Sequence, residues 1–411
     1  MIRKISTKSL EVGMFVADVG RTWLNHPWKT KSRLLTERSE IDELIQFGIE
    51  EVYIDTAKSV KKPRLEPRPK PSLADPKNAI NKAPTVVHKS VEPIVSMESE
   101  FPKAAKAYGR ALDTSKALVA ACRMNKRIEV SEVQENVDEL VESVSRNRDA
   151  LTALIKLRHF DDYTYTHSLN VSVLSISAGK TLGLTDAELK ILGLGTMFHD
   201  LGKIRIPDNI LNKPGKLTDD EFAIMRNHAA LSAEILTEQH LNVSDQVIKV
   251  ARFHHERIDG SGYPDHLQGE QIPPLATICG LSDVYDALTS DRVYHKGMLP
   301  HDALKFIYSL RGTHFQPDWV DRFVQSVGIY PPGSVVELNT GHLAVVMEVI
   351  NRSLLTPLIK VVSDPNGQLY SRTKLVDLSK PAENQGWTIN RVVPPSEAGF
   401  DPASFYNFAA E

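Results

Sequence analysis

The stretch TDAELKILGLGTMFHDLGK, residues 185–203, decides how the middle of the chain is read. Thr185 followed three positions later by Glu188 forms a capping box, the reciprocal arrangement that satisfies the first free N–H groups of a helix. Leu192 and Thr196 then fall on its buried face, so the helix ends in His199-Asp200. Neighbouring helical residues project about 100° apart, so a carboxylate beside an imidazole can serve one ion and lean towards a second. Downstream, Thr218 and Glu221 repeat the capping box. Residues 159–328 read as helix after helix with no convincing strand.

On either side the pattern changes. Residues 1–57 read as a small mixed α+β unit, with strands at Val12–Val19 and Glu51–Asp55 and a helix from Glu37 to Phe47 closed by Gly48. The Trp23–Trp28 segment, broken by Pro27, reads as a loop whose two aromatics plug a small core. Residues 58–99 carry seven prolines and more basic than acidic residues, the composition of an extended, solvated linker. Residues 100–158 read as two helical segments. The first runs from Phe101 to Met124. The second starts near Ser131 and carries Val133, Val137, Leu140, Val144, Leu151 and Leu154 at heptad spacing, with Asn147 in the remaining seam slot. Such a seam fits either a homodimer through residues 131–158 or a helical hairpin packed within the chain. Residues 329–411 turn to period two. Strands are expected at Val335–Leu338, His342–Val349, Leu358–Val362 and Thr373–Leu378, with a hairpin turn at Asn339-Thr340-Gly341, as in a small barrel-like β unit.

Composition bounds the function. The 411 residues carry 41% hydrophobic and 25% charged residues, ordinary for globular protein of several domains. A formal net charge of -3 argues against DNA or RNA binding through bulk positive charge. Cys122 and Cys279 are the two cysteines, far apart and without CxxC spacing, so neither a disulfide framework nor a thiolate zinc site is expected. The N-terminus lacks the apolar core of a signal peptide, and the longest apolar stretch, around Leu343 to Ile350, is too short to span a bilayer. A cytoplasmic location without a membrane span is the simplest expectation.

The chemistry-bearing residues cluster by type. His167 lies at helical spacing with Val171, Leu174 and Ala178. His199-Asp200, His228 and His254-His255 lie on or at the ends of further helices, and Asp283 is followed one turn later by Asp286. Five histidines and two carboxylates near apolar faces would cost several kcal/mol each to bury without compensation. A metal cluster supplies the missing positive charge. Nitrogen and oxygen ligands without thiolate suit iron, manganese, nickel, cobalt or zinc. Two ions sharing Asp200 could clamp both the attacking and leaving oxygens of a phosphoryl reaction.

The segments HDLGK (199–203), HHERIDGSGYP (254–264) and LSDVYDALTSDRVYH (281–295), with IPDNILNKPGKLTDDE (206–221) between them, resemble the HD-GYP family of HD-superfamily phosphohydrolases across about residues 159–328. The first 57 residues resemble a small domain of unassigned function often fused ahead of it. The resemblance implies an all-helical catalytic domain that hydrolyses cyclic di-GMP to the linear dinucleotide pGpG or on to GMP, most naturally with iron or manganese. It implies one ion held by His167, His199, Asp200 and Asp283, and a second by Asp200, His228, His254 and His255. Lys203 is then expected to reach the scissile phosphate, Arg292 the other phosphate or a guanine edge, and Asp286 to orient water or substrate. Gly260 and Gly262 would bring Tyr263 towards the pocket.

Two positions depart from the family pattern. Tyr163 stands where some members carry a glutamate for a third metal, which implies two ions here. His295 stands where many carry Lys or Arg to grip phosphate. Rival readings are a phosphodiesterase for another cyclic dinucleotide and a non-catalytic nucleotide sensor; the intact ligand set disfavours the latter. The N-terminal unit is the candidate contact for a regulatory protein partner.

Overall fold

The computed structural model describes residues 2–18, 32–46, 49, 51–55, 58–59, 93–124, 126, 129–157, 163–238, 241–291, 297–349, 354–380, 382, 384 and 386–406. Trp23–Trp28, Gly48, most of the proline-rich linker, Arg292 and His295 lie outside them. The chain divides into two compact units, Met1–Asn78 and Ala79–Glu411.

The first unit is an antiparallel sheet with one helix. Strands β1 (Ile2–Ser6), β2 (Phe15–Asp18), β3 (Arg33–Leu34) and β4 (Glu51–Asp55) take the order β1-β4-β2-β3, and α1 is Arg38–Gln46. Alternation along β4 sends Val52 and Ile54 into a core with Leu10, Val16, Ile41 and Leu44, while Glu51 and Tyr53 face outward. Buried Glu40 accepts the backbone N–H groups of Thr36 and Glu37 and pairs with Arg33 at 3.0 Å, so the start of α1 is fixed from inside the fold.

The second unit opens with a long hairpin, α2 (Met97–Arg123) and α3 (Val130–Leu157). Helix α2 starts one turn ahead of the expected Phe101. Ser96 caps it, and Glu100 is drawn into the core by Ser143 at 2.8 Å and by the Arg146 guanidinium at 2.8 and 2.9 Å. The heptad seam of α3 is filled within the chain rather than by a second copy. Val133, Val137, Leu140, Val144, Leu151 and Leu154 all lie in one core with α2 and the following helices. Each such side chain contributes about 1.5–3 kcal/mol by leaving water. Asn147 interrupts the helix with extended backbone (φ -157°, ψ 103°). Its amide donates to Val95 O at 3.0 Å and its carbonyl accepts from Asp149 N at 3.1 Å. The polar seam residue therefore makes a bend inside one chain, and the seam offers no dimer surface.

The helices that follow are α4 (Tyr163–Leu182), α5 (Asp186–Phe198), α6 (Asp219–Arg226), α7 (His228–Glu238), α8 (Asp245–Phe253), α9 (Pro274–Thr289), α10 (Pro300–Ser309) and α11 (Pro317–Val327). Both capping boxes form: Glu188 accepts from Thr185 N at 2.8 Å, and Glu221 from Thr218 N at 2.7 Å. Each cap is worth about 1 kcal/mol. Pro274, Pro300 and Pro317 each open a helix, where a missing N–H costs nothing.

The chain ends in a five-stranded antiparallel sheet, β5 (Val335–Leu338), β6 (Leu343–Glu348), β7 (Leu358–Ser363), β8 (Leu369–Asp377) and β9 (Ile389–Val393), in the order β8-β7-β6-β5-β9. Register shifts at Glu337/Leu338, Val346/Glu348 and Val361/Ser363 are the irregularities that curl a small sheet. One face encloses its own core around Val336, Val346 and Val361; Val345, Met347 and Val362 join the core of the helical hairpin.

Candidate metal centre

Five elements bring the seven expected ligands together. His167 comes from α4, His199 and Asp200 from the end of α5, His228 from the first residue of α7, His254 and His255 from the end of α8, and Asp283 from the middle of α9. Asp200 stands between two sets of imidazoles. Its Oδ2 lies 3.5 Å from both His167 Nε2 and His199 Nε2, and its Oδ1 lies 3.4 Å from His228 Nε2. Asp283 joins the first set, with Oδ1 3.1 Å from His167 Nε2. His254 Nε2 and His255 Nε2 approach His228 Nε2 at 3.4 and 3.1 Å.

Three of the imidazoles are aimed by carbonyls three residues back in the chain, on the same helix for His199 and His254 and on the end of α6 for His228. His199 Nδ1 meets Thr196 O at 2.6 Å, His228 Nδ1 meets Met225 O at 2.8 Å and His254 Nδ1 meets Ala251 O at 2.7 Å. A carbonyl can only accept, so each Nδ1 carries the proton and each Nε2 presents a lone pair. The Nε2 atoms of His228 and His254 thus face one another lone pair to lone pair. His199 Nε2 is buried with no hydrogen-bond partner. Buried unpaired acceptors converging on two carboxylates are the signature of a cation site, and groups drawn from these residues lie close enough to share an ion. The donor set fits divalent ions of the borderline class.

Electrostatics agree. Burial opposes the charge of Asp200, yet Lys203 and the surrounding imidazoles hold its carboxyl well below the usual range. Burial likewise opposes Asp283, and the hydrogen bond and charge of His167 hold it low. Burial pushes His228 down to about 4 and drives His254 and His255 well below the ordinary histidine value, keeping them neutral and able to ligate. His167 goes the other way: burial disfavours its charge, but hydrogen bonds to Asp283 and Asp286 raise it to about 9.

These shifts give a pH prediction for the metal-free protein. His228, His254 and His255 stay neutral in the fold but protonate in the unfolded chain near pH 6.5. Between that pH and about 4 the unfolded state binds more protons, so stability falls as pH is lowered through this window. His228 alone accounts for roughly 2–3 kcal/mol. His167 contributes in the opposite sense; its stabilisation is complete below pH 6.5 and is lost as pH rises towards 9. Burial depresses His199 as well, so four imidazoles against one set the sign, and the urea midpoint of the metal-free protein should be lower at pH 4.5 than at pH 7.

Asp286 corrects the sequence reading. It was expected to face substrate, but it is almost fully buried behind His167 and both of its oxygens are engaged. Oδ2 meets His167 Nδ1 at 2.7 Å, and Oδ1 accepts from Asn170 Nδ2 at 3.0 Å and Ser290 Oγ at 3.2 Å. Tyr108 from the hairpin donates to Asn170 Oδ1 at 2.7 Å and fixes the amide. Asp286 is therefore a positioning residue for His167. Asn170 and Tyr108, neither assigned to the site from sequence, complete the chain; Asn170 three residues after His167 on one helix is the available signal. Replacing Asp286→Asn should weaken metal affinity by about 10–100-fold, as loss of such support typically does, measurable by calorimetric metal titration.

The remaining residues frame the site. Lys203 Nζ lies 2.5 Å from Asp200 Oδ2, with its side chain partly exposed. The loop after α8 carries Gly260 at φ +76°, and a Cβ on Gly262 would sit 2.4 Å from Arg257 N. This folding returns Tyr263 over the histidines, its ring 4.7 Å from that of His255. Glu256 pins the loop by accepting from Asp265 N at 2.7 Å and Leu267 N at 3.0 Å. Tyr163 opens α4, but its side chain lies outside the described residues.

A family model described as an HD domain matches residues 137–319, one for a domain of unknown function matches 2–133, and one for a KOW domain associated with HD domains matches 335–399. A cyclic di-GMP phosphodiesterase of Pseudomonas aeruginosa is 37% identical over 413 residues, covering 99% of this chain and 94% of that protein. The cyclic di-GMP phosphodiesterase response regulator RpfG of Xanthomonas campestris is 38% identical over 181 residues, covering 44% of this chain and 48% of its own. A 3′3′-cGAMP-specific phosphodiesterase of Vibrio cholerae is 35% identical over 162 residues, covering 39% of this chain and 31% of its own. Among the described residues no helix is long and apolar enough to cross a membrane. Likeness that runs from end to end, together with the HD segment and its ligands, makes the chain a member of the HD-GYP family of HD-domain phosphohydrolases.

Proposed function

We propose that this chain is a metal-dependent phosphodiesterase acting on cyclic dinucleotides, with cyclic di-GMP as substrate and the linear dinucleotide pGpG, then GMP, as products. The observation that carries the reading is the division of Asp200, one oxygen towards His167 and His199 and the other towards His228. The nearly full-length relative named for cyclic di-GMP supports the substrate. Two divalent ions, iron or manganese foremost, fit the donor set. When bound, such ions act as Lewis acids, lowering the pKa of water and offsetting phosphoryl charge.

The chain's own groups then have distinct tasks. Lys203, tethered to Asp200 and partly exposed, is suited to meet a non-bridging phosphate oxygen as charge builds there. Asp286 and Asn170 hold His167 in register. Tyr263 walls the pocket over His255 and limits water access. Arg292 and His295 are the proposed grips for the distal phosphate or guanine edge.

The test is turnover of cyclic di-GMP by the manganese- or iron(II)-loaded protein, with products separated by chromatography. Nucleotide binding without turnover would replace this reading with a sensor. A second reading, preference for 3′3′-cGAMP, is favoured by the Vibrio relative, and parallel kcat/KM values for the two substrates decide between them. Elemental analysis should find two ions per chain; three would overturn the argument from Tyr163.

A further inference from the structure

A small cavity with a largely apolar wall lies away from the metal ligands, between α3, α4, α9 and α11 and the start of α10. It has a volume of about 40 Å³. By the measure in which one water takes roughly 10–15 Å³, it holds about three or four water-sized groups and no nucleotide. Six polar side chains line it, and three of these hydroxyls are spent on their own helices. Thr152 donates to Asp149 O at 3.1 Å, Thr289 to Tyr285 O at 2.9 Å and Ser326 to Phe323 O at 2.7 Å.

The other three are Lys156, Ser177 and Tyr285. Ser177 Oγ is buried without a partner. Neither the Lys156 ammonium nor the Tyr285 hydroxyl makes a hydrogen bond or ion pair with any described residue. No carboxylate lines the cavity among the described residues. Burial pushes the Lys156 amine down, and the more distant charge of Asp291 offsets part of that cost. A cation and two hydroxyls with donors to spare face a space that offers them no charged acceptor.

We propose that this cavity binds a small monovalent anion, of the size of chloride, nitrate or formate, held by Lys156, Ser177 and Tyr285. The ammonium supplies the charge, and the hydroxyls of Ser177 and Tyr285 turn their hydrogens inward. Tyr285 stands on the helix that carries Asp283 and Asp286, so occupancy also braces the back of the ligand-bearing helix α9.

The test is thermal unfolding of the metal-loaded full chain in chloride, nitrate or formate against gluconate at equal ionic strength. At saturating anion the midpoint should rise by about 5 °C over gluconate. Lys156→Met should lose that difference, and Ser177→Ala should raise the half-saturating concentration by about three- to tenfold. Bromide soaked into crystals of the unmodified protein should give an anomalous peak in this cavity, a result that needs no variant. Equal midpoints in small anions and gluconate, an undiminished shift in Lys156→Met (anion at the metals instead), or no bromide peak would each overturn the proposal.

Discussion

Asp200→Asn should leave a folded protein that binds at most one ion and turns over substrate on the order of 10³-fold more slowly, or worse. Asp200 addresses both imidazole sets at short range, 3.4–3.5 Å from nitrogens of His167, His199 and His228, whereas the second oxygen of Asp283 reaches the second set only at 3.9 Å from His255 Nδ1. An asparagine keeps one oxygen and turns an NH₂ towards the other set, where a lone pair is needed. It also removes the negative charge that meets Lys203 at 2.5 Å and offsets the cations. The variant's backbone geometry can persist, because the aspartate side chain supplies no helix cap. Elemental analysis paired with product formation separates the outcomes. Two ions retained with near-normal turnover would mean that Asp200 bridges nothing.

Gly202→Ala should be the most damaging single-methyl change near the centre. A Cβ there would sit 2.1 Å from His228 O and 2.6 Å from Ser232 N, both backbone atoms that cannot swing aside. The short 3₁₀ turn Leu201–Arg205 would have to retreat from α7. That breaks the 2.8 Å bond from Gly202 N to Ser232 Oγ and pulls Asp200 away from His228. We expect a loss of about 3 kcal/mol or more, at the severe end of overpacking, together with weakened metal binding. Circular-dichroism melting measures the first and metal titration the second. Gly183→Ala is the matched control: its φ of +86° carries strain, but nothing lies within 4 Å of the new methyl. Its cost should stay near 1 kcal/mol.

Local signals were legible in the sequence and long-range ones were not. Thr185–Glu188 and Thr218–Glu221 announce helix starts because both partners of a capping box lie within four residues, and both boxes form. The candidate ligands were legible by residue type and grouping, and the fold brings these seven side chains together. The heptad of α3 reports an apolar stripe but not the owner of the helix that covers it, which is α2 of the same chain. Asp286 one turn after Asp283 looks equivalent to it on a helical wheel. Only packing against His167 and Asn170 turns it inward. Strands β1 and β9 carry charged or amide side chains mid-strand and owe their state to partners distant in sequence, β4 for the first and β5 for the second.

The carbonyl bonds made by His199, His228 and His254 to residues three back in the chain have an evolutionary consequence. Each ligand carries its own aiming device, encoded within four consecutive residues. Drift elsewhere in the sequence can shift helices without misdirecting these three imidazoles. A centre assembled from such self-contained parts can change its preferred metal or substrate by small rigid displacements. His167, aimed instead by residues from another helix, is where that freedom stops.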